Sequence, residues 1–82
     1  MDITVKLFAT LTRYGPGESP YPAGTPFPVT LPEDSSIADL LTVLGIPERE
    51  VKVSFVDGRA RATMYRLSPG EEVGVFPPIG GG

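Results

Sequence analysis

The sequence predicts an α+β domain: a mixed sheet with one principal helix packed on one face. Three observations carry that expectation. Short segments rich in β-branched residues alternate apolar and polar positions with a period of two. One segment, near residues 37–44, places its apolar residues at helical spacing. The chain has 82 residues and a hydrophobic content of 40%, which suits a single core. An amphipathic helix must bury its stripe, and the available partner is the apolar face of the sheet.

The first strand is Met1 to Ala9, where Ile3, Val5 and Leu7 alternate with Thr4, Lys6 and Phe8. Residues 13–26, RYGPGESPYPAGTP, hold four prolines and three glycines and read as a long loop. Proline removes ladder donors there and glycine costs backbone entropy. Phe27, Val29 and Leu31 alternate with Pro28 and Thr30 in a second strand, antiparallel to the first, with Pro28 on an exposed side. Ile37, Leu40, Leu41 and Leu44 then sit on one face of a helix. Ser36 is its N-cap, and Asp39, three residues on, makes a variant of the capping box. Glu33 and Asp34 precede the positive end of the helix dipole. Gly45 ends the helix and Pro47 prevents its resumption.

Val51 to Val56 is a third strand with Val51, Val53 and Phe55 on one face. Asp57-Gly58 is a hairpin signal, and Arg59 to Thr63 returns as a short fourth strand. Tyr65 to Leu67 crosses the sheet, Ser68-Pro69-Gly70 turns, and Glu71-Glu72 opens a last strand, Val73 to Phe76. The first and last strands, both apolar, are expected to be central neighbours. Two antiparallel hairpins with a helix across one face form the β-grasp, or ubiquitin-like, arrangement. The folded domain is expected to span 1–78, with a flexible glycine-rich tail at 79–82.

Composition excludes several kinds of chemistry. The chain has no cysteine, hence no disulfide framework, thiolate nucleophile or cysteine zinc site. It has no histidine, which removes the commonest general base and metal ligand. The net charge of -3 argues against nucleic acid as a partner, since phosphate binding needs clustered Lys and Arg. Arg59 and Arg61 share a strand face and, with Arg66, read as a solvated surface. Glu71 and Glu72 point to opposite faces of a strand and cannot jointly hold a metal. No signal peptide and no membrane-spanning run are visible, so a soluble cytoplasmic protein is expected.

The ending, VFPPIGGG, is the candidate working part. An apolar strand feeds directly into Pro77-Pro78, which stiffen the exit from the sheet. Beyond them lie Ile79, Gly80, Gly81 and Gly82. Four extended residues reach on the order of 13 Å, and three of these lack side chains. That shape suits threading a narrow channel to bring a carboxylate to a buried site. Phe76 lies opposite Val73 and Val75, and Phe8 opposite Leu7. An apolar patch of Phe8 and Phe76 beside a threading tail is what a partner interface requires, although both residues also fit a core.

The ITVKLFA strand, the SSIADLLTVLG helix, the LSPGEEVGVFPP segment and the Gly-Gly end together resemble the ubiquitin-like sulfur carriers, above all the small subunit of molybdopterin synthase. The resemblance spans nearly the whole chain. It implies that an ATP-using, adenylating (E1-like) enzyme activates the carboxylate of Gly82. A sulfur donor would then convert it to a thiocarboxylate, and the large catalytic subunit of molybdopterin synthase would receive the sulfur. Gly81 and Gly82 would carry the sulfur, while Pro77, Pro78, Ile79 and Gly80 would thread the partner's active site. The chain itself would be no enzyme and would bind no cofactor, metal, nucleic acid or membrane; ATP would be used by the partner.

The sequence departs from the family pattern at Gly80, where relatives often carry a small residue such as alanine. It departs again in the long proline-rich loop, which is a partner contact or an insertion. Delivery of sulfur to cysteine, thiamine or a tRNA base stays open. So do conjugation to lysines as a ubiquitin-like modifier and a plain interaction domain with an inert terminus.

Overall fold

The computed structural model describes residues 1–78. Its strands are β1 (Asp2–Leu7), β2 (Phe27–Thr30), β3 (Val53–Val56), β4 (Arg59–Arg61) and β5 (Glu72–Phe76), with one helix, α1 (Ile37–Leu44). The strands form one mixed sheet in the order β2-β1-β5-β3-β4. β1 and β5 are neighbours, as expected, and run parallel; the other pairs are antiparallel. Ile3, Val5 and Leu7 of β1 and Val73 and Val75 of β5 point to the helix side, where Ile37, Leu40 and Leu41 cover them. The apolar periods read from the sequence thus meet in one core.

The N-terminus of α1 shows why the helix starts where it does. Ser36 Oγ accepts from the Asp39 amide at 3.1 Å, and the Asp39 carboxylate accepts from the Ser36 amide at 2.9 Å. The amides of Ile37 and Ala38 donate to the carbonyls of Tyr65 and Thr63. Those first-turn donors have no partner within the helix, so the crossing segment supplies it. Leu67 N–H donates to Ser35 and completes the seam. At the other end Gly45 adopts φ 78°, and Ile46 N–H reaches back to Leu41, so the chain reverses and buries Ile46. The Asp57-Gly58 turn takes φ 49° and 85°, the mirror-image geometry that suits the twist of β3 and β4.

Three features differ from the sequence reading. β1 stops at Leu7, and Ala9–Tyr14 forms a 3-10 helix that buries Leu11 completely. A 3-10 turn has no long period to betray it. β3 begins at Val53, because Glu48–Glu50 forms another 3-10 turn, closed by Val51 N–H onto the Glu48 carbonyl. The buried positions of β3 are therefore Ser54 and Val56, while Val53 and Phe55 face the open side. β4 ends at Arg61, two residues before the expected Thr63.

Pro28 is exposed, as read, and its strand lies at the edge of the sheet. Met1 and Leu31 exchange both backbone bonds, and pairs alternate from there. Thr4 and Pro28 thus form a pair without ladder bonds, and the missing proline donor costs the sheet nothing. Ile79, Gly80, Gly81 and Gly82 lie outside the described residues.

The Ser54 hydroxyl is buried with no hydrogen-bond partner among the described residues. Leaving a hydroxyl unpaired costs free energy, so Ser54→Ala should raise the stability to urea by about 1 kcal/mol. A lowered midpoint would show that the hydroxyl is satisfied in solution. The hydrogen bonds from Ser36 hold the Asp39 carboxyl below its ordinary value of 3.8. A depressed native value stabilises the fold above that pH and is lost as pH falls through it. Asp39→Asn keeps an acceptor but does not titrate, so the stability gap between wild type and variant should close on acidification below about pH 4. A pH-independent gap in urea melts would refute the cap's electrostatic contribution.

Candidate functional site

The open face of the sheet is built by parity. If Val5, Leu7, Val73 and Val75 point to the helix, then Lys6, Phe8, Glu72, Gly74 and Phe76 point away from it. The parallel register Leu7↔Val75 brings the next residues, Phe8 and Phe76, side by side. Their rings stack with centroids 4.2 Å apart and planes 5° from parallel. Phe55 packs edge-on to Phe76 at 5.6 Å. All three rings are half-buried.

Gly74 lies between Lys6 and Phe55 in the ladder and makes the floor. A Cβ there would rest 3.5 Å from both Phe8 and Phe76, an ordinary contact, so the glycine leaves space without relieving a clash. The result is a pit of about 200 Å³ lined by Phe8, Phe55, Phe76, Gly74, Gly58, Lys6 and Glu72. Lys6 Nζ and Glu72 Oε1 pair at 3.2 Å, so the two charges that line the pit offset one another. The proline-rich loop reaches this face as well. Gly24 N–H donates to the Leu7 carbonyl at 2.9 Å, and a Cβ on Gly24 would touch the Phe8 ring at 3.3 Å.

The chain leaves β5 at Phe76, whose carbonyl still accepts from Lys52 N–H at 2.8 Å. Pro77 and the exposed Pro78 follow at once. Beside them, Arg13 forms an ion pair with Glu50, donates to the Thr10 carbonyl at 3.0 Å, and lies over the Tyr14 ring. The Tyr14 hydroxyl also donates to Glu50, at 2.9 Å. Thr10, Arg13, Arg49, Glu50, Pro77 and Pro78 line a depression of about 320 Å³ at the root of the tail.

The structure therefore brings together two residues that sequence singled out, Phe8 and Phe76, and sets them next to Pro77 and Pro78. The remaining tail residues lie outside the described part. Phe55, Gly74, the Lys6–Glu72 pair and the Arg13–Glu50 cluster were not identified as site residues from sequence. Strand parity would have found Phe55 once Ser54 was recognised as buried. Arg59 and Arg61 are exposed on β4, with Arg61 over the Tyr65 ring, while Arg66 donates to the Asp34 carbonyl, so the three do not converge on one site. Among the described residues no group of acidic side chains is arranged to hold a metal, and no helix is long and apolar enough to cross a membrane. Another depression, about 510 Å³, lies beside the start of α1 between Pro32, Val43 and Arg66 and shares no lining residue with the aromatic pit or with the depression beside Pro77 and Pro78.

Stacked rings interact beyond their buried area, so a double-mutant cycle of Phe8→Ala and Phe76→Ala should show a coupling of about 1 kcal/mol in denaturant unfolding. Additive effects would show that the two rings do not support each other.

Residues 1–80 match the family model described as Mut7-C ubiquitin. Among solved structures, the chain is similar to SAMP1 from Haloferax volcanii, at 22% identity and a TM-score of 0.70, with all of both chains covered. It is also similar to a putative molybdopterin converting factor, subunit 1, from Pyrococcus furiosus, at 26% identity and a TM-score of 0.67, covering 95% of this chain and 98% of that one. No curated protein matches the chain. The fold expected from the sequence, a ubiquitin-like β-grasp, is the fold of these neighbours.

Proposed function

The chain belongs to the Mut7-C ubiquitin family, and from that premise we propose that it is a sulfur carrier whose C-terminal glycine travels between partner enzymes as a thiocarboxylate. The observation that carries the reading is the placement of Pro77 and Pro78 directly after Phe76, at the border of an open aromatic face. A carrier needs a surface by which enzymes grip it and a narrow end that they can receive. The open aromatic face and the exit of the chain at Pro77 and Pro78 adjoin one another, which supports this reading.

In this reading the Gly82 carboxylate attacks the α-phosphorus of ATP on an activating enzyme, and pyrophosphate leaves. The acyl-adenylate carbonyl is then attacked by a sulfur nucleophile, AMP leaves, and the carboxylate oxygen is replaced by sulfur. Activation is needed because a carboxylate oxygen is a poor leaving group. The catalytic groups belong to the partners. Gly80, Gly81 and Gly82 keep the end thin enough for a channel, since a Cβ would widen it. The Phe8–Phe55–Phe76 face serves as the docking surface.

The product is proposed to be molybdopterin, with the large catalytic subunit of its synthase as the second partner. The FPPIGGG ending and the likeness to the putative molybdopterin converting factor subunit support that choice. Molybdenum and tungsten pathways share this sulfur chemistry. Conjugation to lysines as a protein modifier is the rival outcome, because it would use the same activated glycine.

The test is the intact mass of the protein after incubation with ATP, a sulfide source and the adenylating enzyme of the same organism. The expected result is a gain equal to the difference between sulfur and oxygen, located in the C-terminal peptide. Removing Gly81 and Gly82 should abolish the gain and leave the melting temperature unchanged. An unchanged mass, where that enzyme converts a known carrier, would overturn the reading. Isopeptide-linked adducts without thiocarboxylate would replace it with the modifier.

A further inference from the structure

We propose that the return arm of the proline-rich loop, residues 21–26, positions the Phe8 ring for the enzyme that grips the aromatic face, with Gly24 as the positioning residue. The proposal rests on the carrier reading and gives the loop a part in it.

The loop is closed in two stages. The Thr12 carbonyl accepts from the amide of Gly15 at 3.2 Å and from that of Tyr21 at 3.0 Å. Residues 16–20 are thereby pinched off as an exposed tip. The pinch is tight, since a Cβ on Gly15 would fall 2.3 Å from the Tyr21 Cβ. Tyr21 and the buried Phe27 then pack edge to face, with centroids 5.3 Å apart. Gly24 N–H donates to the Leu7 carbonyl, which extends the edge of β1 beyond its last pair with β2, Val5↔Phe27. The arm therefore runs beside the end of β1, where Phe8 follows. Pro22 and Pro26 restrict its freedom, so it can serve as a fixed wall.

Gly24 is selected by what stands over it. Gly17, Gly24, Gly45, Gly58 and Gly70 all adopt positive φ. A Cβ would meet open space at Gly17, Gly45, Gly58 and Gly70. At Gly24 it would meet Phe8 Cε1 at 3.3 Å and Cζ at 3.8 Å. The other edge of the same ring faces Gly74, where a Cβ would lie 3.5 Å from Phe8 Cε2. Phe76 stacks on the face of the ring. Phe8 thus sits in a slot with a glycine at each edge and a ring beneath. A phenylalanine without such walls samples several rotamers, and a partner would have to order it on binding. The arm orders it beforehand and so lowers the cost of docking.

The experiment compares Gly24→Asn with Gly17→Asn. The two positions share nearly the same left-handed φ, 72° and 76°, and Asn tolerates that region, so the backbone cost is small and matched. Position 24 alone of the two sets the new side chain against Phe8. Folding is checked first, by circular dichroism. The readouts are the NMR resonances of the Phe8 ring protons and the kinetics of carrier-dependent pyrophosphate release by the activating enzyme. Gly24→Asn should move the Phe8 resonances toward their unstacked values and raise KM about fivefold with kcat unchanged. Gly17→Asn should match wild type in both. In a Phe8→Ala background, Gly24→Asn should raise KM no further, because the two changes act through one ring.

Equal KM values for the two Asn variants would overturn the proposal and leave the carrier reading standing. Unmoved Phe8 resonances would also overturn it, as would a rise in KM that persists in the Phe8→Ala background. A fall in kcat alone would assign Gly24 to a step after docking, again against the proposal. A Gly24→Asn chain that fails to fold where Gly17→Asn folds would make Gly24 a requirement of the fold and sink the positioning role. If wild type were not turned over while a known carrier was, the carrier reading would fail and the docking role with it, whereas the resonances would still report whether Gly24 holds the ring.

Discussion

The parallel pairing of β1 with β5 is the constraint on which the rest of the molecule depends. It joins the first and last strands of the sheet at its centre, so their carboxyl ends lie at the same border. A parallel pair cannot be closed by a tight turn; it needs a long crossover. Here everything from the 3-10 helix to the Tyr65–Leu67 segment serves as that crossover, with α1 as its packed element. The same pairing makes Phe8 and Phe76 neighbours, although 67 positions separate them in the chain. Reversing the direction of either strand would part Phe8 from Phe76 and undo the stacked pair at the exit.

The crossing segment shows a second kind of economy. Thr63 and Tyr65 lend their carbonyls to the first turn of α1, while the Tyr65 hydroxyl donates to Glu71 at 2.7 Å and the Ser68 amide donates to the same carboxylate at 2.6 Å. That carboxylate holds the Tyr65 proton and pushes the phenol above its ordinary 10.0. One stretch of irregular chain therefore caps a helix on one side and sets the start of β5 on the other. Helix placement and the direction in which the last strand leaves the sheet are coupled through a few hydrogen bonds, with little regular structure in between.

The elements with strong local signatures were legible in the sequence. Ile3, Val5 and Leu7 announced β1 by alternation, Ser36 and Asp39 announced the start of α1, and Gly45 and Asp57-Gly58 marked their reversals. What escaped has a common cause: it depends on residues distant in sequence. The 3-10 helix at Ala9–Tyr14 is held by burial of Leu11 and by the tie from Arg13 to Glu50, neither of which leaves a periodic trace. Ser54 disguised the inward face of β3, because a serine under a helix looks from sequence like a surface position. Phe8 and Phe76 could be named as candidates by parity, but their stacking, and the place of Phe55 and Gly74 beside them, required the register between strands.

Pro28 carries a consequence for the molecule among its own kind. Its ring nitrogen falls at an outward-facing position of the outer edge of β2, where a second chain would need a donor to add a strand. The opposite edge, β4, offers three residues with an arginine at each end. Sheet growth from copy to copy is thereby checked on both sides, by a missing hydrogen on one and by repulsion between like charges on the other. The central pairing of the first and last strands thus lies between two edges that resist the addition of another strand.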